Sequence, residues 1–164
     1  MSLSRRNLLL GGAFLAGLAG FATLRNSAVA SAAEGEFPFE LTETEWRKRL
    51  TDAQFHVLRN HGTEPAFTSP LNDEKRAGTF VCAGCAQPLF DSATKYDSGT
   101  GWPSFYTSIE GAIGTSVDTS WFSTRTEVHC SNCGGHQGHV FEDGPQPTGL
   151  RYCINGAALA FVSA

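Results

Sequence analysis

Past its first residue the chain contains no methionine, and it is short of positive charge: 12 Lys and Arg stand against 16 Asp and Glu in 164 residues. Three of those cations, Arg5, Arg6 and Arg25, fall in residues 1–30, which hold no acid. Without that segment nine cations face sixteen acids, a formal charge of −7. So acidic a chain offers no continuous basic surface, which argues against a nucleic-acid groove or an anionic-lipid patch. Past the N-terminal segment there is no low-complexity tract, and the only internal repeat is a pair of C-x-x-C motifs. The length allows one domain with a real core and not two. A body without methionine suits work among oxidants.

What is present begins with an address. Arg5 and Arg6 precede an apolar run from Leu8 to Leu24 rich in Gly and Ala, and Ala28-Val29-Ala30 follows. This charged, apolar, small-residue order is that of an export signal. "SRRNLL", from Ser4, resembles a twin-arginine signal, an export address read by bacteria. No cysteine lies in or directly after the run, which speaks against a lipid-anchored form. Residues 1–30 are expected to be the signal, cleaved near Ala30, with the protein exported to the periplasm; left uncleaved, the same run would be a membrane anchor. The twin-arginine route carries folded proteins, so a metal can be loaded before export. Residues 31–40 read as a flexible lead-in to a domain spanning 41–162.

Two helix starts are legible. Thr42-x-x-Glu45 and Thr51-x-x-Gln54 match the capping box, in which a hydroxyl and an N3 side chain satisfy orphan backbone donors. They predict helices over about 43–50 and up to about Asn60, with Gly62 near the second C-terminus. Trp46, Leu50, Phe55 and Leu58 provide the apolar faces. After Pro65 short apolar or alternating runs alternate with turn residues: "TFVC", "QPLF", "SWFST", "EVHC", "GHVFED", "LRYCI", "ALAFV". This is strand-and-turn composition. The fold expected is mainly β, a small antiparallel domain with short N-terminal helices.

Four of the five cysteines form the pairs Cys82/Cys85 and Cys130/Cys133. Each C-x-x-C turn lets two thiolates face one point, and four fill a tetrahedral ion, the pattern of one structural zinc. Forty-four residues separate the pairs, so two distant hairpins must meet. Two disulfides, or a C-x-x-C redox centre, are the other readings; a thioredoxin-like centre would need a βαβ setting that neither pair has. A zinc hydrolase is also to be weighed, because His136 and His139 lie near Cys130/Cys133, but catalytic zinc keeps a position open. With four thiolates available, the histidines are free for acid–base work.

The fifth cysteine, Cys153, is the anomaly. On a strand, Arg151, Cys153 and Asn155 share one face, and a flanking cation favours thiolate and hence nucleophilicity. A buried, inert core cysteine fits the segment equally well.

"GHVFEDGPQPTGLRYCING" (138–156), "YDSGTGWPSF" (96–105), "TEPAFTSPLNDEKRAGTFVCAGC" (63–85) and both C-x-x-C pairs closely resemble the methionine sulfoxide reductase B family. The resemblance runs over about residues 40–162, with the motifs in the family's order. It implies two antiparallel sheets with N-terminal helices. It also implies Cys153 as nucleophile, Cys82, Cys85, Cys130 and Cys133 as zinc ligands, and His136 and His139 as the active-site histidines. Arg151 and Asn155 match the residues flanking the thiol, and Trp102 the wall that receives the substrate methyl. The implied partners are oxidised methionine, free or in peptides and proteins, and an external thiol reductant, thioredoxin-like or small; the chain is expected to be a monomer. The chemistry fits: a sulfoxide needs an apolar wall for its methyl and a proton donor for its oxygen, and attack by the thiol leaves a sulfenic acid on Cys153.

Two positions depart from the pattern. Thr100 stands where many members carry a resolving cysteine, and no other cysteine is spare, so direct recycling of the sulfenic acid by an external thiol is expected. Gly156 stands where Ser is expected in many members, a change that looks small from sequence. A different class, a non-enzymatic zinc-ribbon binding module, would keep Cys153 buried and Trp102 in the core.

Overall fold

The structure, a computed structural model, describes residues 35–119 and 123–164. The export signal expected over 1–30 lies outside the described residues, as does the "SWF" of the "SWFST" run. Among the described residues no helix is long and apolar enough to cross a membrane. Within the lead-in, the Phe39 N–H donates to the Asn132 carbonyl, and the Phe39 ring meets Trp46 edge-on.

Both helices form where the capping boxes place them: α1 over Glu43–Arg49 and α2 over Asp52–Asn60. Thr42 and Thr51 each accept from the N3 backbone N–H and are bonded in return by Glu45 and Gln54. Trp46, Leu50, Phe55 and Leu58 are buried. The left-handed residue that ends α2 is His61 (φ 51°), not Gly62. Gly62 serves a different need: a Cβ there would lie 2.3 Å from the His56 ring.

The strands are β1 Gly78–Cys82, β2 Pro88–Asp91, β3 Lys95–Tyr96, β4 Ser104–Phe105, β5 Ile113–Asp118, β6 Arg125–Cys130, β7 His136–Phe141, β8 Arg151–Ile154 and β9 Leu159–Ser163. They make two sheets, ordered β2-β1-β9 and β3-β4-β8-β7-β6-β5, and every pairing is antiparallel. The expected architecture, mainly β in two antiparallel sheets with two short helices, is the one observed. β3, β4 and β5 were not among the expected runs; β3 and β4 are two residues each, too short for a periodic signal. Phe80 and Phe90 from the small sheet close on Phe105 of the large one, at ring separations of 5.0 and 4.3 Å, and fill the core between them.

One irregularity positions the site. On β7, His136 pairs with His129 while Gly138 pairs with Val128, so Gln137 is an extra residue. Regular alternation would send His136 and His139 to opposite faces. The bulge restores them to one side, with ring centroids 5.4 Å apart.

Candidate active site and metal centre

Cys82 and Cys130 end β1 and β6, and Cys85 and Cys133 sit in the turns that follow. The two turns are built alike. The N–H of Ala86 donates to the Cys82 carbonyl and that of Gly134 to the Cys130 carbonyl, with Ala86 (φ 62°) and Gly134 (φ 65°) both left-handed. The sulfurs of Cys82 and Cys133 are 3.8 Å apart and those of Cys85 and Cys130 3.6 Å, with all four within 4.8 Å of one another. Sulfurs about 2.3 Å from a tetrahedral ion stand about 3.8 Å apart, whereas a disulfide needs about 2.05 Å. The cysteines are free thiols, and the cluster can hold one metal ion.

Without a cation the sulfurs titrate against each other. Hydrogen bonds to its neighbours, Cys130 first, push the Cys82 thiol up, while the bond with Cys130 pulls Cys85 down. The surroundings suit a charged cluster. The buried Arg59 guanidinium donates to the Cys133 carbonyl at 3.1 Å and lies 4.6 Å over the Trp46 ring, and Gln137 Nε2 reaches Cys82 Sγ at 3.5 Å.

Cys153 stands apart from that cluster, half-buried at the centre of the large sheet. Across β8 it pairs with Ser104 on β4 and His139 on β7; directly opposed residues share a face. Its Sγ is 3.8 Å from the Thr100 hydroxyl, which continues through Ser98 (2.9 Å) to Ser104 (2.7 Å). A cavity of about 120 Å³ opens on the thiol, lined by Trp102, His139, Phe141, Arg125 and Asn155 among others. Beside it is a larger cavity of about 700 Å³ lined by His56, His61, Asp118, His136 and, shared with the first, His139 and Arg125.

Burial raises the Cys153 thiol above its ordinary value, against the pull of the Thr100 hydroxyl and the Arg151 charge. The flanking cation does favour the thiolate, as expected, but burial outweighs it. Arg151 also pairs with Asp143, to which its Nε and Nη2 donate at 2.8 and 2.9 Å, and its guanidinium lies 4.4 Å over Phe141. The guanidinium that lines the thiol cavity is that of Arg125.

Each of the two β7 histidines is held by a carboxylate. Asp118 Oδ2 accepts from His139 Nε2 at 2.8 Å and from Arg125 Nη2 at 2.7 Å. Glu127 Oε1 accepts from His136 Nδ1 at 2.7 Å and stands 3.1 Å from His61 Nδ1, with the Ser116 hydroxyl on its other oxygen. Despite burial, which opposes it, hydrogen bonds from His129, His136, His61 and Ser116 hold the Glu127 carboxyl far below the usual range. His61, Glu127 and His136 are close enough to resemble a metal group, but 2.7 Å is the length of a charge-assisted hydrogen bond. Burial lowers the His139 pKa against the pull of Asp118, which favours the neutral ring, and a neutral ring donating to Asp118 carries its proton on Nε2.

Asn155 is buried, and its amide is bonded at both atoms: Nδ2 donates to the Gln137 carbonyl and Oδ1 accepts from the Glu64 N–H, both at 3.0 Å. Trp102 Nε1 donates to the Glu64 carbonyl at 3.0 Å. Of the predicted site residues, the fold brings Cys153, His139, Trp102 and Asn155 to one cavity. His136 stands one ring behind His139, and Arg151 beside the cavity. Asp118, Arg125, Glu127 and Glu64 were missed. The first three reach the histidines only across the strands of the large sheet, and Glu64, though inside the 63–85 segment, reaches Trp102 and Asn155 only through loop hydrogen bonds. Gly156 is corrected too: a Cβ there would lie 1.8 Å from Ser69 Oγ and 2.5 Å from Ser69 Cβ, so Ser at this place is not a small change.

A thiol, an indole and a carboxylate-held histidine line one cavity, apart from a four-cysteine cluster that can hold a metal ion. The SelR domain model matches residues 50–163. Peptide methionine sulfoxide reductase MsrB of Leptospira interrogans is 54% identical over 121 residues, covering 73% of this chain and 92% of that protein. The protein of the same name from Saccharophagus degradans is 57% identical over 115 residues, 70% and 86% of the two chains. That from Methanosarcina barkeri is 55% identical over 123 residues, 74% and 87%. The chain belongs to the SelR-domain family of MsrB-type proteins.

Proposed function

We propose that the protein reduces methionine-R-sulfoxide, free or in peptides and proteins, to methionine, with Cys153 as the reacting thiol. The observation that carries this reading is the convergence of Cys153, His139 and Trp102 on one small cavity. The R epimer rests on family membership alone.

Trp102 encloses the methyl group and directs the sulfoxide sulfur toward Sγ. His139, neutral at rest, takes the thiol proton on the nitrogen not bonded to Asp118 and passes it to the sulfoxide oxygen as Sγ attacks the sulfur. Asp118 stabilises the transient imidazolium. The oxygen then moves to Sγ as the sulfur–sulfur bond breaks. Two electrons have passed from Cys153 to the substrate, leaving methionine and Cys153–SOH. One external thiol displaces water from the sulfenic acid to give a mixed disulfide, and a second restores the Cys153 thiol and leaves as a disulfide. Thr100, a hydroxyl 3.8 Å from Sγ, offers no internal alternative. Arg151 acts from outside the cavity, and its charge favours the thiolate.

The metal is proposed to be one structural zinc on Cys82, Cys85, Cys130 and Cys133, a closed donor set with no role in the chemistry. Residues 1–30 are proposed to be a twin-arginine export signal, 31–40 a lead-in and 41–162 the catalytic domain, acting as a monomer in the periplasm, or anchored there if the signal is kept.

The test is a single turnover without reductant on protein loaded with zinc, given racemic methionine sulfoxide, with free thiols counted after denaturation in chelator. About one methionine per chain and one thiol lost at Cys153 are expected. Two thiols lost would mean that a metal-cluster cysteine resolves the sulfenic acid. No methionine, with Cys153 untouched, would leave a binding module.

A further inference from the structure

The segment between α2 and β1 holds no ladder hydrogen bonds near residue 64, yet Glu64 binds three parts of the site. Its carboxylate accepts from the backbone N–H of Gly156 through Oε1 and of Ala157, at 2.8 Å, through Oε2. Those N–H groups open the 3-10 turn Gly156–Ala158, directly after Asn155 and three residues past Cys153. Its own N–H donates to Asn155 Oδ1, and its carbonyl accepts from Trp102 Nε1. A neighbouring bond, Phe67 N–H to the Gly101 carbonyl at 2.7 Å, ties the same loop to the Trp102 turn. Pro65 narrows the backbone freedom of residue 64 to extended geometry. Gly156 leaves room for the clamp: a Cβ there would come within 3.2 Å of Glu64 Oε1 and would strike Ser69.

We infer that Glu64 is a positioning residue that fixes the distance between Trp102 and Cys153, and so sets how large an alkyl group on the sulfoxide sulfur the cavity accepts. This rests on the proposed function, in which Trp102 receives the methyl. The carboxylate does not touch the substrate. It pins the Glu64 backbone to the turn that follows the thiol strand, and that backbone holds the indole on one side and the Asn155 amide on the other. One residue thus gauges the gap between wall and nucleophile. With the clamp released, the loop can carry Trp102 away from Sγ while Cys153, held within the sheet by β4 and β7, stays in place.

The test compares methionine sulfoxide with ethionine sulfoxide in the wild type, Glu64→Ala and Glu64→Gln, below each variant's melting temperature. A well-fitted apolar pocket discriminates one methylene by roughly tenfold or more. In Glu64→Ala the methyl-over-ethyl preference is expected to fall by at least about threefold and kcat/KM for the methyl substrate by about tenfold or more, the scale of a misplaced positioning contact. Alkylation of Cys153 by iodoacetamide, which needs no wall, should change less than about twofold. Glu64→Gln keeps the size and one acceptor oxygen and should fall between the two; if the Ala variant does not fold, the Gln variant carries the test. An unchanged methyl-over-ethyl preference in the folded variants overturns the inference. A wild type that reduces neither sulfoxide overturns the proposed function instead.

Discussion

Cys153 holds its proton more tightly than an unburied cysteine, because burial raises its pKa. At neutral pH its thiolate fraction is therefore below that of a free cysteine, and reactivity grows as pH rises toward the raised value. Iodoacetamide labelling of Cys153 should be slower at pH 7 than that of a model thiol and should increase about tenfold per pH unit, without levelling off at the ordinary cysteine value. A labelling curve that levels off below that value would show that the Arg151 charge outweighs burial after all. Thr100 supplies a second expectation. Its hydroxyl is 3.8 Å from Sγ, so Thr100→Cys places a second thiol beside the nucleophile. After one turnover that variant should lose two thiols instead of one and, on peptide mapping, show the introduced thiol joined to Cys153. A third concerns Gly156, where any side chain strikes Ser69. Gly156→Ser should lower stability by about 1–3 kcal/mol in denaturant melts, the usual cost of overpacking, and Ser69→Gly in the same chain should recover part of it.

The strands explain what was readable in advance. The helices announced themselves because a capping box is a local device: donor and acceptor lie three residues apart and need nothing from the rest of the fold. The metal cysteines were legible for the same reason, as each pair is one turn. The histidine pair was legible only as a motif. Its spacing of three contradicts strand alternation, and the contradiction is resolved by a bulge whose register lies on the neighbouring strand, β6. Asp118 and Glu127 were invisible because their partners lie 21 and 9 residues away, two strands across the sheet for Asp118 and on the neighbouring strand for Glu127. The salt bridge of Arg151 to Asp143 was not legible because the two lie eight residues apart, on β8 and in the loop before it. The bulge also yields a prediction. A Cβ on Gly138 would lie 2.1 Å from the Cys153 carbonyl oxygen, a backbone atom that cannot swing aside. Gly138→Ala should cost about 3 kcal/mol, the upper end of overpacking, and reduce turnover in the molecules that remain folded, because the displaced strand is the one that bears the nucleophile. Melting curves and kcat measured on the same preparation would check both.

For the molecule as a whole, the four-cysteine centre joins two sheets: one pair ends β1 of the small sheet and the other ends β6 of the large one. Apparent binding free energies of structural zinc, about 10–16 kcal/mol in small peptides, are of the same size as the whole stability of a typical domain, about 5–15 kcal/mol. Removing the metal with a chelator should therefore abolish the cooperative melting transition at 37 °C, and restoring zinc should bring it back; an unchanged melting curve would show that the aromatic core alone suffices. The order of strands along the chain adds a constraint of assembly. β8 lies between β4 and β7, and β9 completes the small sheet against β1, so residues 151–164 fill one interior slot and one edge in a frame that the earlier strands must supply. During synthesis Cys153 thus follows both cysteine turns out of the ribosome, and its berth can be finished only after them. A chain stopped short of β8 would carry the metal centre, both histidines and the aromatic wall around an empty groove, and a separate peptide bearing the final two strands would have the shape to fill it.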